Sequence, residues 1–277
     1  ALRHQPNRFD QGFADRVHPD RQGVLVTYLE LCQFAHRYIG GGNALPGTAP
    51  TTVVGQAGEL FELVKSVADA YRAIQNEQDQ WLFMQKQGTF SLPSSGRVLS
   101  RATLVSQVAD YDDIRQDLYG AGYRFLQMYS TANGASSNTP VIYIPYQTWR
   151  GTVDQNVIPT GKSSMFTVQP DRSIEFSSTA DQAYTFVCDY KRSIDSWIQT
   201  GGSADTQTPI FPERFHEVVA WRAIMFWGGS VEDPGKYQFA RDEYRRIMDQ
   251  LRADQLPEWT PHTTAFYGGV ANIGGGF

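Results

Sequence analysis

Apolar residues recur at helical spacing near both ends of the chain and at strand spacing between them. The most regular helical stretch, residues 208–256, reads as two helices broken at Gly228 and Gly229. Pro212 sits where a first-turn proline is tolerated, with Glu213 beside it at the positive end of the helix dipole. From Val218 to Trp227 only Arg222 is not apolar, and a helix apolar nearly all round is buried on more than one side. Its partner surface comes either from the same subunit or from a neighbour. Asp233 and Pro234 restart the chain as N-cap and first-turn proline. Tyr237, Ala240, Tyr244, Ile247, Met248 and Leu251 then mark one face of an amphipathic second helix.

Two further helices are predicted at the other end. Over residues 24–38 the stripe is Leu25, Tyr28, Leu29, Cys32 and His36, stopped by Gly40, Gly41 and Gly42. Over residues 56–78 it is Leu60, Leu63, Val64, Val67, Ala68, Tyr71 and Ile74, with Glu59, Glu62, Lys65, Asp69 and Arg72 on the far side. At Trp81 the period changes, and residues 88–200 read as β-rich. Residues 141–146 form a β-branched and aromatic run. Residues 163–168, 173–176 and 183–190 are strands separated by turn residues. Tyr184, Phe186, Cys188 and Tyr190 share one face, as in an antiparallel meander with one buried side. Residues 110–120 and 146–155 read as helical pieces, and 130–140 as a loop or hairpin tip.

The expected fold class is therefore α+β: a helical bundle built from N- and C-terminal helix pairs (24–85 and 208–256), with a β-rich antiparallel insertion (86–207). Residues 1–23 form a polar N-terminal arm. Residues 257–277 form an extended C-terminal tail, uncharged after Glu258 and punctuated by Trp259, Phe266, Tyr267, Val270, Ile273 and Phe277. Disordered tails are usually charged, so this one reads as a strap that orders against a partner.

Composition narrows the function. A charged fraction of 19% leans towards subunit contacts covering part of the surface, and a net charge of -5 argues against a dedicated nucleic-acid binder. The chain has no apolar run long enough to span a membrane, and its first residues hold no apolar signal core. Cys32 and Cys188 read as isolated buried thiols.

Candidate chemistry is thin. Asp110, Asp112, Asp113 and Asp117 lack the spacing of a calcium loop, and acids at a solvated helix start account for them. Glu213, His216 and Glu217 share a helix face without forming a metalloprotease motif. His36 has no ligand-spaced neighbour, and neither a phosphate loop nor a serine-nucleophile motif occurs. No catalytic set, metal site or cofactor is expected.

The order of segments resembles the head-to-tail adaptor proteins of short-tailed bacteriophages. The stretches that carry the resemblance are TYLELCQFAHRYIG and TTVVGQAGELFELVKSVADAYRAIQNEQDQWLFM, then ADYDDIRQDLYG and YQTWRG. SSMFTVQPDRSIEFSSTADQAYTFVCDYKRS, TPIFPERFHEVVAWRAIMFWG and YQFARDEYRRIMDQLRADQLP follow in the family's order. The resemblance covers residues 24–257, with PERFH its most specific motif; the arm, the long tips and the Gly-rich tail depart from it. It implies a non-catalytic structural protein of the virion neck, made in the host cytoplasm. It implies a homo-oligomeric dodecameric ring between the portal protein and the tail nozzle protein, with tail fibres as a further candidate partner. DNA would pass through without tight binding, and no membrane is involved. On this reading Phe215, Val218, Trp221, Met225, Trp227, Leu60 and Val64 supply the subunit interface. Trp259, Phe266, Tyr267, Ile273 and Phe277 reach the portal. The alternative is a tail fibre or baseplate module that binds host carbohydrate. A cell-wall hydrolase would need a paired-acid site that the sequence does not reveal.

Overall fold

The computed structural model describes residues 26–40, 47–114, 126–154, 156–197, 200–228 and 234–256. Among them are six α-helices: α1 (Tyr28–Gly40), α2 (Gly58–Asn76), α3 (Arg101–Gln107), α4 (Tyr146–Thr152), α5 (Glu217–Gly228) and α6 (Pro234–Gln255). The strands are β1 (Gln85–Leu92), β2 (Val98–Leu99), β3 (Tyr111–Ile114), β4 (Leu126–Ser130), β5 (Thr139–Tyr143), β6 (Met165–Val168), β7 (Ile174–Phe176) and β8 (Tyr184–Arg192).

The eight strands form one sheet in the order β1-β8-β4-β5-β6-β7-β2, with β3 also paired to β8. The sheet curls into a nearly closed barrel. β5 and β6 run parallel and the other ladders are antiparallel. This overturns the expected helical bundle with an antiparallel insertion. The sheet is mixed and has a hydrophobic core of its own. Strand order and direction come from contacts between distant segments, which local periodicity does not report.

β8 is the strand on which the sheet is built. Tyr184, Phe186, Cys188 and Tyr190 point inward as their alternation predicts. The expected meander is wrong at this point: β6 and β7 form a hairpin, but β8 leaves them and pairs with β1, β4 and β3. Three of these inward side chains are large and aromatic, and a position at the end of the sheet would leave one edge of this strand bare. Gly88 of β1 lies opposite Cys188, and a Cβ there would lie 2.9 Å from both the Phe90 and Tyr190 rings. Glycine is required here for space.

Other local expectations shift. Residues 111–114 form strand β3 where a helix is predicted, because Tyr111 and Ile114 are buried against β8; residues 115–120 lie outside the described residues. The helix expected at 146–155 appears as α4. The short helix α3 is an addition to the expected elements; Ser100 caps it by accepting from the Thr103 N–H at 3.2 Å. Residues 130–140 do connect an antiparallel hairpin, β4 to β5.

α1, α2, α5 and α6 share a second core that includes Tyr28, Val67, Tyr71, Ile74, Val219, Ile224 and Met248. α5 packs against α1, α2 and α6. The partner surface its apolar sequence requires thus comes from the same subunit. Pro212 precedes a single 3-10 turn, Glu213–Phe215, and α5 proper starts at Glu217.

Candidate assembly surface

The helical part presents aromatic rings where α5 packs against α1 and α6. Trp221 of α5 meets Phe34 edge-on at 5.2 Å, Tyr38 at 5.0 Å and Phe239 of α6 at 5.7 Å. Phe239 also stacks on Tyr38 at 5.9 Å while keeping one side open to solvent. One turn on from Arg222, Phe226 is 44% exposed.

Arg222, the one charge in the apolar run of α5, is engaged on several sides. Its Nη1 donates to the Tyr244 hydroxyl at 2.9 Å, and its guanidinium lies 5.0 Å from the Tyr244 ring and 5.3 Å from Phe226. The Tyr244 hydroxyl in turn donates to Glu77 at 2.7 Å, and Glu77 also pairs with Arg252. The arginine among apolar side chains is linked through Tyr244 to Glu77 at the end of α2, while Asp249 gives Arg252 a second carboxylate.

The structure divides the residues expected at the subunit interface. Val64, Phe215, Val218 and Trp221 are buried within the single chain and hold its own core together. Leu60, Met225 and Trp227 are half-buried. The exposed rings are others, Phe61, Phe226 and Phe239, which sequence reasoning missed. Helical spacing carried the signal for Phe61, which falls beside the stripe of Leu60, Val64 and Val67 rather than on it. Trp259, Phe266, Tyr267, Ile273 and Phe277 lie outside the described residues.

The titratable clusters serve structure. Asp110 accepts from Lys86 Nζ at 2.7 Å and from the Tyr190 hydroxyl at 2.6 Å, across one end of the barrel. Burial works to raise its carboxyl pKa, but these hydrogen bonds outweigh it and hold the group below the usual carboxylate range. Asp112 pairs with Arg101 at 3.0 Å and with Arg172. Burial raises Asp113. His216 is buried and its Nε2–H donates to the Phe211 carbonyl at 2.9 Å, whereas Glu213 and Glu217 face solvent. These three do not form a shared site. Cys32 and Cys188 are buried free thiols whose pKa burial pushes up. Among the described residues no group of three or more His, Cys, Asp and Glu side chains is placed to hold a metal, and no helix is long and apolar enough to cross a membrane.

The buried polar groups serve the fold, while Phe61 of α2, Phe226 of α5 and Phe239 of α6 are open to solvent. The sequence profile of the SU10 adaptor protein matches residues 26–265, and the chain belongs to that family. A phage adaptor is a structural component of the virion. Comparison with curated proteins gives no match.

Proposed function

We propose that this chain assembles into a dodecameric ring in the virion neck that joins the portal protein to the tail nozzle protein and leaves a channel for DNA exit. The observation that carries this reading is the family match over residues 26–265. The exposed Phe61, Phe226 and Phe239, with half-buried Leu60, Met225 and Trp227, support it as the apolar surface that a neighbouring copy covers. The uncharged tail of Trp259, Phe266, Tyr267, Ile273 and Phe277 is the portal contact in this scheme. A net charge of -5 suits a channel that DNA slides through, because tight binding needs phosphate neutralisation.

The test is the mass of the purified chain with and without its portal, by light scattering and negative-stain imaging. A ring that forms on the portal, and that is lost when residues 258–277 are deleted, is the expected result. A chain indifferent to the portal that forms trimers and binds glycans overturns the reading in favour of a host-binding module.

A further inference from the structure

α2 buries one side, from Leu63 through Val67 and Tyr71 to Ile74. Its other side is open and holds five charges, Glu59, Glu62, Lys65, Asp69 and Arg72. With about 100° of turn per residue, the helix sorts these charges by sign across its open face. Glu59, Glu62 and Asp69 fall on one flank of the midline, and Lys65 and Arg72 fall on the other. Phe61, also exposed, lies on the basic flank.

Glu62 and Lys65, Lys65 and Asp69, and Asp69 and Arg72 are spaced to pair along the helix. Among the described residues none of the five charged groups is engaged in a salt bridge or a side-chain hydrogen bond. The exposed side of α6 behaves differently: Arg246 pairs with Glu243 at 2.7 Å, and Arg252 pairs with Asp249 at 2.8 Å. α6 thus uses its charges within the helix, whereas α2 holds two flanks of opposite sign unengaged.

Resting on the ring reading above, we infer that α2 runs along the ring axis and meets α2 of a second copy of this chain, the acidic flank of one (Glu62 and Asp69) against the basic flank of the next (Lys65 and Arg72). The pattern of signs selects this arrangement. A two-fold axis across the helix would set each flank against its own kind, acids on acids and bases on bases, and like charges so placed repel. An axis along the helix sets opposite flanks together. That contact is heterologous, and its repetition closes a ring when the rotation closes. Glu62 and Asp69 are seven residues apart, as are Lys65 and Arg72, so both flanks repeat every two turns, about 10 Å, and stay in step. The same contact covers the ring of Phe61 on the basic flank.

The test uses two full-length variants. Lys65→Glu with Arg72→Glu gives two acidic flanks, and Glu62→Lys with Asp69→Lys gives two basic ones. All four side chains are exposed and unengaged, so both subunits should fold, as thermal melts verify. On the portal, each variant alone should need about tenfold or more the parent's concentration to form rings, read by light scattering. An equimolar mixture of the two should recover ring formation, because acidic and basic copies then alternate. A chain carrying all four substitutions should recover it alone. Recovery in the mixture cannot come from pairs within one helix or from a repaired fold. Rings formed by each variant alone at the parent's concentration overturn the flank contact and leave the ring reading in place. A folded mixture, or a folded fourfold variant, that stays unassembled while the parent assembles overturns it too. A parent chain that forms no ring on the portal overturns both.

Discussion

Gln75 and Asp195 bind each other twice: Gln75 Nε2 donates to the Asp195 carbonyl at 2.8 Å, and the Asp195 N–H donates to Gln75 Oε1 at 2.8 Å. One side chain thus replaces a strand partner for the backbone that leaves β8. Next to it Trp197 lies between Tyr71, 4.2 Å away, and Tyr28, 4.5 Å away. The Tyr71 hydroxyl bonds to Asp195 at 3.0 Å. The exit of the barrel is in this way fastened to α2 and α1. Gln75→Leu keeps the volume and leaves two backbone groups without partners, each costing about 1–3 kcal/mol where water is excluded. Chemical denaturation of Gln75→Leu should show a loss in that range, nearer its lower end because Asp195 is exposed enough for water to reach it. A loss below about 0.5 kcal/mol would show that the pair is replaced by water.

Two glycines should respond oppositely to the same change. At Gly88 a methyl group would meet two aromatic rings at 2.9 Å, so Gly88→Ala overpacks the barrel and should cost about 1–3 kcal/mol. At Gly151, within α4, a Cβ meets nothing within 4 Å, and Gly151→Ala should stabilise by about 0.5–1 kcal/mol through helix propensity. Thermal midpoints of the two variants against the parent check both signs at once.

These cases show what was legible in the chain. The stripe of Leu63, Val64, Val67, Tyr71 and Ile74 is a property of one helix, and it predicts α2 to within two residues of each end. The alternation of Tyr184, Phe186, Cys188 and Tyr190 gives the inward face of β8. Which strands flank β8 is another matter. Phe90 and Met128 both come to lie opposite Phe186, one on each side, and no local pattern records that pairing of distant segments. Tyr111 and Ile114 looked like part of a helix start because Asp112 and Asp113 sit between them. Arg172 and Arg101 answer those acids from distant segments. For the assembly surface, Trp221 and Val218 were legible as apolar but not as internal. An all-round apolar helix announces several neighbours without saying whose they are.

The Arg222–Tyr244–Glu77 chain makes a further prediction. Tyr244→Phe deletes one hydroxyl that both accepts from Arg222 and donates to Glu77. The ring and its contact with the guanidinium remain. The change leaves an arginine and a carboxylate each short of one bond in a half-buried setting, so it should cost about 1–3 kcal/mol. Arg222→Met removes the charge and keeps the length, and it should cost less when combined with Tyr244→Phe than alone. A double-mutant cycle by urea denaturation measures that coupling, and additive losses would show that the two groups act independently.

His216 ties stability to pH. Burial lowers its pKa below the ordinary 6.5, and its Nε2–H is donated to Phe211 O. The folded chain therefore keeps the ring neutral at a pH where the unfolded chain has already bound a proton. The slope of stability with pH follows that difference in bound protons, so stability rises with pH in this window. The contribution is complete above about pH 6.5, is lost progressively as pH falls from there to the lowered folded value, and is constant below it. His216→Gln keeps an amide donor and removes the titration. The parent should lose more of its thermal midpoint between about pH 7.5 and 5.5 than His216→Gln does. Equal losses in the two proteins would assign the pH dependence to other groups.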